Sequence, residues 1–169
     1  MTAAFFVFIV GAGLRAQFLL VSDGVLRPSL EEKARAHVKD LLADLRGPGV
    51  VTHLWMTIAD NEYGWPRLLR LRVYYDGSPV PSVDAPVGDF FAVGHGFEAK
   101  VKSAMVVDSS DGRARNSYWP MPFRKSCRVT LTNEGRRKVD HLYYHVDWEK
   151  VPELPPGTAY FHARYRQEL

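Results

Sequence analysis

The chain has 169 residues, is 46% hydrophobic, and carries a formal net charge of +3 with a pI near 9.0. That length can bury one proper core, and the 22 Lys and Arg are scattered among 19 acids rather than gathered into a run, which argues against a nucleic-acid footprint. A single cysteine, Cys127, excludes an internal disulfide and a Cys-rich zinc site.

The chain opens on Ala3–Gly13, apolar but too short to span a membrane. It resembles the apolar region of a secretory signal with Ala16 as a cleavage edge, although no Lys or Arg precedes it. Read as a signal, it implies a secreted or periplasmic protein; read otherwise, a cytoplasmic one. Gly11-Ala-Gly13-Leu-Arg-Ala16 also imitates a dinucleotide-binding fingerprint. That motif needs alternating strands and helices after it, and hairpin signals follow instead. Residues 1–28 are therefore expected to be a signal-like or unstructured extension.

Residues 29–46 read as an amphipathic helix. Ser29 and Glu32 form a capping box, and Leu30, Ala34, Val38, Leu41, Leu42 and Leu45 recur at helical spacing. Gly47-Pro48 stops it.

From Val50 the period changes to two. Val51–Ile58 is a β-branched and aromatic run, and Leu69, Leu71, Val73 and Tyr75 alternate with Arg70, Arg72 and Tyr74. Asp76-Gly77 signals a hairpin turn, with Pro79–Val83 as an edge return strand. Val101–Val107 is a weaker strand followed by a loop over Asp108–Asn116. Cys127–Thr132, Val139–Trp148 and Ala159–Arg166 complete the set. Many short strands with turns between them predict an all-β fold, an antiparallel β-sandwich of jelly-roll type over residues 47–169, with one N-terminal helix.

Two stretches hold the chemistry. Pro86–Gly96 packs three glycines, Asp89, His95 and adjacent aromatics into eleven positions. It reads either as a loop presenting Asp89 and His95 to a ligand or as a hairpin connection with a self-satisfied Asp–His pair. Tyr118-Trp-Pro-Met-Pro-Phe-Arg-Lys125, flanked by Asn116, has two prolines and three aromatics on an extended path. Flat rings beside Asn, Arg, Asp and His suit a carbohydrate, while a proline-rich cap on the sandwich is the plainer account. His141 and His145 share one strand face, but the sequence nominates no third zinc ligand, so a structural role is expected and no metal or cofactor is implied.

Several of these segments, taken in order, resemble a known family. They are Gly47-Pro-Gly-Val-Val-Thr-His-Leu-Trp55, Val73-Tyr-Tyr-Asp-Gly77, Pro81-Ser-Val-Asp-Ala-Pro-Val-Gly-Asp-Phe-Phe91 and Gly94-His-Gly96. Trp119-Pro-Met-Pro-Phe-Arg-Lys-Ser126, Leu142-Tyr-Tyr144 and Tyr160-Phe-His-Ala163 follow. Together, from Leu42 to Arg166, they look like the N-terminal half of glycoside hydrolase family 172. The resemblance implies consecutive jelly rolls, trimer-based assembly and retaining hydrolysis of α-linked furanosides such as α-D-fructofuranosides, difructose anhydrides and D-arabinofuranosides. Two glutamates, roughly 5 Å apart, would act as nucleophile and acid/base. The family's Trp-Trp-Gly-Glu-Gly-Asp and Gly-Thr-Glu-Asp-Tyr-Phe stretches do not occur in these residues, so no catalytic residue is assigned. Asp89, His95, Asn116, Trp119 and Arg124 are expected to contact a furanoside. The expected partners are the sugar, further copies of the chain or a C-terminal jelly roll, with no nucleic acid and no membrane. A non-catalytic carbohydrate-binding or assembly module is the alternative.

Overall fold

The computed structural model describes residues 6–8, 15–22 and 38–168. Its strands are β1 (Phe6–Phe8), β2 (Arg15–Ser22), β3 (Val38–Arg46), β4 (Gly49–Ala59), β5 (Leu69–Tyr75), β6 (Val83–Pro86), β7 (Val101–Lys102), β8 (Val106–Ser109), β9 (Ala114–Ser117), β10 (Met121–Phe123), β11 (Ser126–Asn133), β12 (His141–Lys150) and β13 (Ala163–Arg164). Two single helical turns, α1 (Trp65–Leu68) and α2 (Val87–Phe90), interrupt them.

The strands form two sheets. One runs β1-β2-β12-β4-β9-β8-β7, with β10 also pairing β4; the other runs β13-β6-β5-β11-β3. All pairs are antiparallel except the short β13–β6 contact. The expected all-β sandwich is what forms. Alternation drives it: Val51, Leu54, Met56, Ile58, Leu142, Tyr144 and Val146 from the larger sheet meet Leu69, Leu71, Val73, Val83, Val129 and Leu131 from the smaller in one buried cluster. Cys127 lies in that cluster, fully buried, and burial pushes its thiol up to about 12, so it is a small core residue rather than a nucleophile.

The helix expected over 29–46 is corrected by the structure. Val38–Arg46 is strand β3, an edge strand that pairs with β11 from Val38↔Asn133 to Arg46↔Ser126; residues 29–37 lie outside the described residues. The run Leu41-Leu-Ala-Asp-Leu45 satisfies a helical stripe, yet a register shift at Val129/Thr130 lets Leu42, Ala43 and Leu45 all turn inward while Leu41 stays 55% exposed. Pairing with a long central strand outweighs helix propensity of a few tenths of a kcal/mol per residue. The expected extension over 1–28 is also corrected in part, because β2 pairs with β12, from Leu142↔Ser22 to Glu149↔Arg15. The fingerprint segment 9–14 lies outside the described residues.

Smaller shifts follow the turns. Asp76 and Gly77 both have positive φ, 55° and 80°, and Ser78 N–H donates to the Tyr75 carbonyl, giving the anticipated tight turn. The return strand begins only at Val83, in register with Val73, because Pro79 and Pro81 bring no N–H to a ladder. The strand expected over Val101–Val107 is split into β7 and β8, and the loop expected after it contains β9. The last expected strand is reduced to the two residues of β13.

Candidate functional site

Both faces of the larger sheet carry polar groups, and the outer face is organised by one irregularity in β4. Val51 pairs with Trp148 and faces the core, but the register shifts at Asp147/Trp148. His53, two residues on, therefore faces outward opposite Asp147 instead of inward. On the other side of β4, Leu54 pairs with Ser117 and Val51 with Met121, so three residues, Tyr118–Pro120, stand opposite Thr52 and His53. Ladder pairing is broken on both sides at His53. A bulge of this kind re-aims side chains.

The re-aimed imidazole is bound on both nitrogens. His53 Nδ1 lies 2.9 Å from Asp147 Oδ2, and Nε2 lies 3.2 Å from Asn116 Oδ1. Asn116 Nδ2 donates to the Val107 carbonyl at 2.9 Å, which fixes its oxygen toward His53. With acceptors on both sides, the protonated form of the ring can donate to both at once. The Asp147 hydrogen bond, opposed by burial and helped by Asn116, raises the His53 pKa above its usual value. Tyr118 covers the ring in parallel at 4.7 Å. Next along the face, Trp55 meets His145 edge-on at 4.8 Å, and burial lowers the His145 pKa. His141 and His145 share this outer face as anticipated, and no group of three or more metal-ligating side chains occurs among the described residues.

The interruption at Tyr118–Pro120 also displays Trp119, which is 39% exposed and stacks on Phe161 at 5.6 Å. Beside it opens a cleft of about 620 Å³ lined chiefly by Trp119, Pro120, Pro122, Leu154, Tyr160 and Phe161. Its hydroxyls are already engaged: Thr158 Oγ1 donates to the Pro155 carbonyl at 2.7 Å, and the Tyr160 hydroxyl donates to Asp76. Asp76 also accepts from the backbone N–H groups of Arg124, Lys125 and Ser126. Burial pushes the Asp76 carboxyl up, but the tyrosine and these N–H donors outweigh it and leave its pKa lowered. Arg124 sits at the rim, its guanidinium 5.3 Å over the Tyr160 ring and donating to the Thr158 carbonyl.

The five residues singled out from the sequence therefore fall in three places. Trp119 and Arg124 flank the same cleft through the segment Thr158–Phe161. Asn116 lies on the outer face with His53. Asp89 accepts a two-pronged ion pair from Arg67 Nε and Nη2 at 3.1 and 3.0 Å, on the turn α2 whose Val87, Phe90 and the following Phe91 are buried. His95 is exposed on that segment, at φ 64°. His53 and Asp147 are additions the sequence reading missed.

An antiparallel β-sandwich with an aromatic-lined open cleft is the class of fold. More specifically, residues 22–167 match the model described as the GH172 first beta-sandwich domain, and the chain belongs to glycoside hydrolase family 172. A comparison with curated proteins returns no match.

Proposed function

We propose that this domain is the sugar-facing and subunit-facing part of an α-furanosidase, and that these 169 residues do not hydrolyse glycosides by themselves. The observation that carries the reading is the membership of glycoside hydrolase family 172 over residues 22–167, together with four acids that are engaged by basic side chains or backbone N–H groups. Retaining hydrolysis needs two carboxyl groups roughly 5 Å apart across one anomeric carbon. Here Asp84 is held by Arg70 and Arg72, Glu134 by Arg72 and Asp89 by Arg67. Glu62 accepts from the backbone N–H groups of Arg136 and Arg137.

The Trp119 ring and the exposed Arg124 guanidinium, on one rim, suit the flat apolar face and the hydroxyls of a furanoside. Asp89, His95 and Asn116 lie away from that rim, Asp89 held by Arg67 and Asn116 by His53, so the reading rests on Trp119 and Arg124. The family's trimeric assembly is carried over as an expectation, to be checked by light scattering of the purified chain.

The test is an assay on α-D-fructofuranosides, difructose anhydrides and D-arabinan fragments. No turnover is expected, with calorimetric binding of a furanoside that is abolished by Trp119→Ala. Sustained hydrolysis by the isolated chain would overturn the claim that it lacks the catalytic pair. A pure assembly module, the second reading, would bind no sugar and would still self-associate.

A further inference from the structure

The inner face of the larger sheet contains a group of side chains that the proposed sugar site does not use. Eight buried side-chain polar atoms among the described residues have no hydrogen-bond partner, and five of them belong to three neighbours: both oxygens of Asp108, Nε and Nη2 of Arg115, and Oγ of Ser117. Asp108 stands directly opposite Arg115 in the β8–β9 pair, and Ser117 is two residues further along β9, opposite Val106. Period-two geometry puts all three on the same inward face, and their exposures are 3%, 0% and 0%.

Directly opposed residues on adjacent strands have Cβ atoms about 5 Å apart, so a buried Asp and Arg in this position can reach each other. They are not hydrogen-bonded. The Arg115 guanidinium lies 4.8 Å over the Trp65 ring, and its one weak bond is from Nη1 to the Arg113 carbonyl at 3.5 Å. The fork edge suited to bind a carboxylate in two places is left with its donors unmatched, as is the carboxylate itself. Two opposite charges in a core cannot remain undressed, because the cost of removing each from water is several kcal/mol.

We infer that ordered internal waters bridge Asp108, Arg115 and Ser117, making this a solvated ion pair inside the sandwich. Charge decides the ligand class. An anion would face Asp108 and a cation would face Arg115, whereas the pair is neutral as a unit and asks for a small neutral donor–acceptor. Water fits on number as well: five atoms of mixed donor and acceptor character serve about two waters at roughly three bonds each. The site also ties the β8–β9 pair to the turn above it, since Trp65 of α1 lies on the guanidinium and is itself 5% exposed.

The site is independent of the sugar reading and is tested without sugar. A crystal structure of the full chain at high resolution should show at least two waters bridging the Asp108 carboxylate to Arg115 Nε, Arg115 Nη2 and Ser117 Oγ. A direct two-pronged Asp108–Arg115 pair, with no water between, would overturn the inference. In solution, the Arg115 Nε–H should give a nuclear Overhauser contact to a long-lived water, and loss of Ser117 Oγ in Ser117→Ala should weaken that contact while leaving the fold intact. An Arg115 Nε–H with no water contact in the unaltered chain would also overturn it.

Discussion

Arg115 and Asn116 are neighbours on one strand, and they show two opposite ways to hold polar groups in a sandwich. Asn116 faces out, where its amide bridges the Val107 carbonyl and His53, and His53 in turn meets Asp147. Every group in that chain has a protein partner. Arg115 faces in, fully buried, with two guanidinium nitrogens and a facing carboxylate that have none. The outer network is partly exposed and each member has a protein partner, whereas the inner one is buried and relies on what protein atoms do not supply. The difference locates where the fold is sensitive: a half-exposed group that loses its partner can turn to solvent, but a buried one cannot.

The largest effect should therefore come from the inner pair. Arg115→Met leaves Asp108 buried without its counter-charge, and a loss of about 3–5 kcal/mol in urea unfolding is expected. Replacing both, Asp108→Leu with Arg115→Met, should recover most of that loss, because two apolar groups replace two charges. A double variant as unstable as the single one would show that the pair contributes shape rather than charge.

The two regions should also separate by pH. Burial, partly offset by Arg115, raises Asp108 to about 6 from the ordinary value of 3.8. The folded state then holds a proton that the unfolded chain has released, so stability falls as pH rises from about 4 to about 6. Asp108→Asn removes the titrating group and should flatten that segment of the stability curve. His53 acts in a different window. Its raised pKa adds stability that is fully present below about 6.5 and is lost as pH rises through the folded value. Asp147→Asn should shift the His53 ring titration, followed by NMR, back toward 6.5 and remove that upper slope. Removing a bond to a charged group, it should cost about 1.5–3 kcal/mol at pH 6. An unshifted His53 midpoint would mean that Asp147 does not hold the proton.

The sandwich was legible in the sequence because alternation survives in most of the chain: Leu69 to Tyr75 and Leu142 to Trp148 show the same inward pattern in sequence and structure. His53 was not legible, for a definite reason. Val51 and His53 have the same parity, so strict alternation sends both to the core, and only the register shift at Asp147/Trp148 turns the histidine outward. A bulge leaves no residue-type signature at Thr52. β3 was misread by the same mechanism, since a bulge lets Leu42, Ala43 and Leu45 share an inward face that looks helical. Aromatic and proline content did expose Tyr118–Lys125 as unusual, and the structure places its interruption beside His53. The separation of Asp89 from Trp119 could not be read, because the Arg67 contact spans 22 residues of sequence.

The smallest stability effect belongs to the cleft, and it sharpens the comparison most usefully for function. Trp119 is stacked on Phe161 but 39% exposed, so Trp119→Ala should lose about 0.5–1.5 kcal/mol, far less than Arg115→Met. Its effect on furanoside binding should be the larger of the two, since the ring is the most exposed flat apolar face at the cleft. Arg115→Met, conversely, should weaken the fold while leaving sugar affinity unchanged below its unfolding transition. Calorimetry on both variants at 10 °C, where each remains folded, separates the roles. If Arg115→Met lowers affinity and Trp119→Ala does not, the ligand face is on the wrong side of the sheet, and the sugar site must be sought nearer α1 than the cleft.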